Sequence, residues 1–489
     1  FFRPHGSLLG DLCPQAPSEA SLPKASTMDH VENSFNSNKF LKEEFVSNLR
    51  GSSMLETSMQ MTLLALLLCL GRWIGFITKT NLDDMDSLKK NDDAVVYLHN
   101  LGSHIAMMLF DFICIIPSSL IFLTVFSEWT CACAILLALL LCVVSIKSFG
   151  STACGSSRSL RAHVSLYRVS MTIFTCLCIL AVDFKIFPRR YAKTETYGTS
   201  LMDLGVGSFV LANALVSRQA RNVSSREWIS SLKSTGPLLL LGFGRLAFTS
   251  GVGYQVHVGE YGVHWNFFFT LAAVSILTSL INFPPQYCGI FGSLILVGYQ
   301  TWLLQGLNSY LITNERKTDI ISQNKEGIFS IFGYWGMYLV GVQLGNYLFF
   351  KNYPMMKICR QARTRVWIFA LSLWLITVLL DSCVERVSRR TCNLAYVSFV
   401  LATNLQALAI LMLSDYIPGS KMSVIESAFD RNLLGSFILA NVLTGAVNLS
   451  VDTMACAPTV ALLILLAYAF VLCMGVGVAD FYGWKLKFW

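Results

Sequence analysis

The sequence predicts an all-α polytopic membrane protein with about thirteen transmembrane helices in a single integral domain. Three observations carry this. Hydrophobic residues make up 54% of the 489-residue chain and charged residues only 13%, and a mean hydropathy of +0.56 lies outside the soluble globular range. Apolar windows of roughly 20 residues, the length that crosses a bilayer core as helix, recur along the chain. None shows the alternation of a membrane barrel, so helices must satisfy the backbone in lipid.

In order, the windows fall at 59–78, 104–126, 129–146, 164–182, 199–217, 236–254, 265–281, 287–305, 328–350, 366–382, 393–413, 432–450 and 457–479. The connections are short, which leaves no room for a soluble catalytic module and places any chemistry in loops and at span ends. The longest, 79–103 with its acidic "NLDDMDSLKKNDD", 306–327 and 414–431, read as solvated linkers. Residues 1–38 form a tail before the membrane domain 39–489. Its first part, 1–27, is rich in Pro, Ser and Ala, lacks a signal-peptide core and precedes Met28, so it reads as disordered leader sequence. The first window then serves as the targeting signal.

A net charge of +8 would suggest nucleic acid in a soluble protein, but here the basic residues sit in short loops, where headgroup contact and topology account for them. Loops on the C-terminal side carry the larger share of Lys and Arg, which sets the C-terminus in the cytosol and the N-terminus opposite. The ending "KLKFW" agrees, because Lys485 and Lys487 form a KxKxx-like retrieval signal for the endoplasmic reticulum. The sequon at Asn222 is then cytosolic, and the one at Asn448 lies close to a span end. Most of the 15 cysteines, such as Cys131, Cys133, Cys142, Cys176 and Cys178, lie in the windows as small hydrophobes, and no paired CxxC motif predicts a metal.

Three polar clusters are candidates for chemistry. The first, "VDFKIFPRRYAKTETYG", holds Asp183, Lys185, Arg189, Arg190, Lys193 and Glu195. Pro188 stops the preceding helix, so the chain folds back and can bring Asp183 near Lys193. A carboxylate there can take a proton from a hydroxyl, a lysine can steady a developing oxyanion, and the two arginines suit a phosphate. The same residues also fit a basic interfacial anchor. The second cluster, "YQVHVGEYGVHWNFFFTLA", spaces His257, Glu260, Tyr261 and His264 for one helical face, with Asn266 following. Gly259 and Gly262 weaken the helix, and without HExxH spacing the set suits hydrogen bonds to a polyhydroxylated headgroup better than a metal. The third is the charge at bilayer depth, Asp111, Asp203, Arg245 and Asp381, in which Asp203 is expected to pair with Arg245.

"DFKIFPRRYAKTETYGTSLMDLGVGSFV", "STGPLLLLGFGRL" and "HVGEYGVHWNFFFTLA" resemble the signature blocks of the GPI inositol acyltransferase family, and "KEEFVSNLRGSS" resembles its N-terminal start. The resemblance covers about 40–489. It implies a thirteen-span endoplasmic reticulum enzyme that transfers a fatty acyl group, typically palmitoyl, from acyl-CoA to the inositol 2-hydroxyl of glucosaminyl-phosphatidylinositol. Asp183 and Lys193 match the family's Asp and Lys, making them the expected catalytic pair. Arg189, Arg190, Glu195, Asp203, Arg245, His257, Glu260, Tyr261, His264 and Asn266 are the expected substrate-binding set. Acyl-CoA (palmitoyl-CoA) is then a co-substrate, with no bound cofactor and no obligate protein partner. Its phosphates would meet the cytosolic basic loops, either Lys147, Arg158 and Arg161 or Arg218, Arg221 and Arg226. Two other readings compete: a transporter or flippase of a polar lipid lined by the intramembrane charges, and a histidine-dependent O-acyltransferase using His257 or His264.

Overall fold

The computed structural model describes residues 44, 45, 47–83, 93–149, 160–223, 228–251, 258–350, 355–416 and 422–484. The tail 1–38, His257, Arg158, Arg226 and the Lys485/Lys487 signal lie outside them. One compact unit, Val46–Trp489, holds every helix named below.

Each apolar window is met by a helix: α1 (Met54–Asp83), α2 (Asp93–Leu123), α3 (Thr130–Phe149), α4 (Leu160–Ala181), α5 (Leu201–Leu215), α6 (Trp228–Gly251), α7 (Phe267–Ile281), α8 (Cys288–Trp302), α9 (Lys325–Gly345), α10 (Met355–Cys383), α11 (Leu394–Leu411), α12 (Leu433–Ser450) and α13 (Pro458–Phe481). The exact count of thirteen spans is not confirmed. Ten of the described helices are long and apolar enough to cross a membrane, and α5, α7 and the apolar part of α6 (Thr235–Ala247) are shorter. At about 1.5 Å per residue, the 15 residues of α5 or α7 reach about 22 Å against a hydrocarbon core of about 30 Å.

Burial separates a centre from a lipid-facing rim. The apolar windows of α4 and α11 are 78% and 89% buried, whereas those of α3 and α10 are 17% buried. The rim helices turn Leu136, Leu139, Ile146, Leu371 and Leu375 outward, as expected where lipid replaces water. α10 packs on α11, α8 on α9 and α6 on α7. Where α8 meets α9 the backbones nearly touch, since a Cβ on Gly292 would stand 2.7 Å from the Gly336 carbonyl oxygen, the small-residue contact that lets membrane helices approach closely.

Two of the expected solvated linkers are built structure. Within 414–431 a capped helix, Val424–Arg431, sets the buried Glu426 against Arg72 of α1 at 2.6 Å, and Asp111 of α2 accepts the Val424 N–H at 2.7 Å. Within 306–327, Lys325 is fully buried and donates to the carbonyls of Tyr310, Thr313 and Glu315. Composition suggested loops because these segments are polar, but their charges pair inward. In 79–103, α1 extends to Asp83 and α2 begins at Asp93.

Candidate active site

The end of the bundle where α4 stops and α5 begins gathers the segments 48–53, 182–200, 258–266 and 384–393. The fold-back expected from Pro188 is present: that residue precedes a short 3-10 turn, Arg189–Tyr191, and Phe184, Phe187 and Tyr191 are fully buried beneath it. Arg189 turns back into the loop and donates to the carbonyls of Val182 (2.7 Å), Phe184 (3.2 Å) and Phe187 (3.2 Å). Burial depresses its guanidinium to about 10, with Asp183 acting in the opposite sense. Arg190 binds Glu56 at 2.7 Å and Glu128 at 2.5 Å, beside a recess of about 410 Å³ that Ser53, Ser127 and Thr130 also line. Both arginines, expected to meet phosphate, thus have protein partners, because irregular backbone and carboxylates at a membrane edge need donors.

The second half of the loop locks onto the N-terminal segment. Ser52 and Thr199 form a β-bridge, and Glu195 accepts the Asn48 N–H at 2.8 Å. Gly51 (φ +80°) and Gly198 (φ +128°) occupy left-handed backbone here, and a Cβ on Gly198 would lie 2.4 Å from the Arg50 carbonyl oxygen. This close apposition is why "NLRGSS" and "ETYGTS" belong to one site.

Asp183 and Lys193 reach the same end of the bundle but take different partners. Asp183 Oδ2 accepts from Asn448 Nδ2 of α12 at 2.7 Å, and Lys193 Nζ lies 2.5 Å from Glu260 Oε1. From Glu260 a chain of charge runs inward. Arg389 Nη1 is 3.3 Å from the same Glu260 oxygen, Arg389 Nε is 2.6 Å from Asp203 Oδ1, and Asp203 Oδ2 accepts from the Thr194 N–H and hydroxyl at 3.0 and 2.6 Å. Thr194 follows Lys193, so the chain closes on itself. Arg389 and Asp203 are buried, while Lys193 keeps 36% of its side chain exposed at the outer end. Burial works to raise the Glu260 carboxyl, but Lys193, Arg389 and Arg245 overcome it and hold it at about 2. Burial likewise pulls the Arg389 guanidinium down, and Glu260 and Asp203 more than reverse this.

Asp203 therefore pairs with Arg389, not with the expected Arg245. Sequence proximity favoured Arg245, but the loop after α10 packs over the start of α5, where Val387 O accepts the Gly198 N–H and Ser388 Oγ donates to Thr196 O. Arg245 acts instead on Glu260. The expected helical face through His257, Glu260, Tyr261 and His264 is broken: helix spans only Val258–Tyr261, and Gly262, at φ +114°, turns the chain away. His264 is exposed, with its backbone N–H on Asn324. Tyr261 is buried with the Arg389 guanidinium 5.9 Å from its ring centre. Asn266 caps α7, accepting from Phe268 N–H at 3.0 Å and donating to the Gly242 carbonyl at 2.9 Å.

Arg389, Arg390, Asn448 and Thr194 were not among the site residues expected from the sequence. Arg390 donates to Glu326 at 3.0 Å, which also binds Arg316 at 2.7 Å. The signal available was the paired arginine in "RVSRRT", a short polar loop on the same side as the first two clusters.

An uncharacterized protein of Arabidopsis thaliana is 57% identical over 437 residues, covering 88% of this chain and 100% of the relative. A phosphatidylinositol-glycan biosynthesis class W protein of Dictyostelium discoideum is 37% identical, covering 66% of this chain and 74% of its own length. The glucosaminyl-phosphatidylinositol-acyltransferase PIGW of Mus musculus is 32% identical, covering 93% and 100%. The profile of the GWT1 family matches residues 38–479, nearly the whole membrane domain with its charged loop and ion-pair chain, and the chain belongs to that family.

Proposed function

We propose that this protein transfers an acyl group from acyl-CoA to an inositol hydroxyl of glucosaminyl-phosphatidylinositol, the substrate in the name of its mouse relative. The observation that carries the reading is the separate anchoring of Asp183 by Asn448 and of Lys193 by Glu260 at one end of the bundle. One group is a base and the other a cation, and each is held by its own partner. The inositol oxygen attacks the thioester carbonyl while its proton passes to Asp183, forming the C–O bond. The tetrahedral oxyanion lies against the Lys193 ammonium. The C–S bond then breaks, and the thiolate takes the proton, restoring the carboxylate.

The site end is lumenal in this reading, and the protein resides in the endoplasmic reticulum. Acyl-CoA approaches from the opposite end, where Arg161 begins α4 and Arg218 and Arg221 follow α5. The transporter reading is weakened by the engagement of its charges: Asp111 with Val424, Asp203 with Arg389, and Asp381 with the Val387 N–H at 2.8 Å.

The test is acylation of glucosaminyl-phosphatidylinositol by membranes carrying Asp183→Asn or Lys193→Met, with radiolabelled palmitoyl-CoA as donor. Both variants accumulate and lose at least about a hundredfold in turnover. Unchanged turnover in either removes that residue from the mechanism.

A further inference from the structure

We propose that Asn448 is a positioning and specificity-determining residue, whose amide N–H orients Asp183 and whose amide oxygen accepts a hydroxyl neighbouring the one that reacts. This rests on the reading of Asp183 as the base. Asn448 lies near the end of α12, whose polar side chains Ser436, Asn441 and Ser450 donate back to carbonyls of that helix or its cap, and which exposes Val442 and Leu449. A carboxamide contributes nothing to crossing lipid at that place. It reaches a residue 265 positions away in sequence, donating from Nδ2 to Asp183 Oδ2 at 2.7 Å.

The carboxylate can only accept, so the orientation of the amide is settled: nitrogen toward Asp183, oxygen away from it. That oxygen, Asn448 Oδ1, is buried and has no hydrogen-bond partner. Buried acceptors are rarely left unmet, and one beside a catalytic carboxylate calls for a donor from substrate. A carboxylate and an amide oxygen side by side match two adjacent hydroxyls of a cyclic polyol. Asp183 takes the proton of one, and Asn448 accepts from the other. The amide also donates to the charged form of Asp183, which favours ionisation. On its own loop Asp183 faces Arg189, with Lys185 two positions on, and the turn after α12 contributes Asp452.

The experiment uses the full-length protein with glucosaminyl-phosphatidylinositol and an analogue lacking the hydroxyl adjacent to the acylated one. The unmodified protein discriminates against the analogue by at least about tenfold in kcat/KM. Asn448→Leu lowers kcat/KM for the natural substrate by about a hundredfold, abolishes the discrimination, and moves the acidic limb of the pH profile up by about one unit. A merely structural amide would alter neither the discrimination nor the limb. Equal turnover of both substrates by the unmodified protein overturns the acceptor role without any variant, and an unmoved limb in Asn448→Leu overturns the positioning role. Activity in Asp183→Asn sinks the base assignment itself; an inactive Asp183→Asn beside an unaffected Asn448→Leu sinks this inference alone.

Discussion

Replacing Glu260 by Gln tests the charged chain at its most informative point. Burial alone would raise the carboxyl, yet Lys193 at 2.5 Å, Arg389 at 3.3 Å and the field of Arg245 hold it at about 2, against an ordinary value of 4.5. The difference, about 2.5 pH units, corresponds to about 3 kcal/mol of stability. Because the folded value lies below the unfolded one, this stabilisation is fully present above about pH 4.5 and is lost as the pH falls toward 2. Glutamine removes it at every pH. The shares are unequal: Lys193 is 36% exposed, so solvent screens its part to about 1 kcal/mol or less. Arg389, 2% exposed, and Arg245 share the remainder, less screened although Lys193 makes the shortest contact. Thermal unfolding in lipid nanodiscs at pH 7 reads this directly. Glu260→Gln should lose about 3 kcal/mol and Lys193→Met no more than about 1. A Glu260→Gln protein that melts with the unmodified one, or a Lys193→Met protein less stable than Glu260→Gln, would refute the reasoning.

Gly198→Ala places a Cβ 2.4 Å from the Arg50 carbonyl oxygen on backbone at φ +128°; it should cost at least about 2 kcal/mol in the same unfolding assay. Asp203→Asn leaves Arg389 with Glu260 as its remaining carboxylate, and Arg389→Met leaves the buried Asp203 without its cation; the second should cost more, about 3–5 kcal/mol, and the double variant should recover only the part that belongs to the Asp203–Arg389 pair. Acyl transfer should not recover in the double variant, because Arg389 also holds Glu260, and through it Lys193.

The helices were legible in the sequence because length and hydropathy are local, and a window of about 20 apolar residues declares itself. The shortness of α5 and α7 was not, since averaging over such a window absorbs their capped ends, Ser200 and Asn266, into the span. The fold-back was legible from Pro188, whose fixed φ leads into the turn Arg189–Tyr191, although α4 already stops at Ala181, before the missing N–H of that proline bears on it. The partners of Asp183, Lys193 and Asp203 were not, because they lie 265, 67 and 186 residues away and a single chain carries no record of long-range pairing. The expected Asp203–Arg245 pair failed for that reason. The helical spacing of His257 to His264 failed for a local one, since Gly262 ends the turn.

The density of charge at this end of an otherwise apolar protein follows from the short helices. α5 and α7 begin at buried caps, Ser200 fully buried and Asn266 6% exposed, so the backbone between helices extends inward of where full-length spans would end. Irregular backbone at such depth is tolerated only where protein groups satisfy it. The buried Arg390 and Lys325 and the half-buried Arg189 and Arg316 supply this: Arg189 donates to carbonyls of its own loop, Arg390 to Leu311 and Ile312, Arg316 to Gln323, and Lys325 to Tyr310, Thr313 and Glu315. Lys193 stands apart from them. Its partner is a carboxylate at the end of an ion-pair chain, and more than a third of its side chain remains exposed. A cation engaged by carbonyls is committed to the fold, whereas one tethered by a single carboxylate keeps donors that can turn toward a substrate. That distinction separates Lys193 from Arg189, Arg316, Arg390 and Lys325 and supports the proposal that it meets the developing oxyanion.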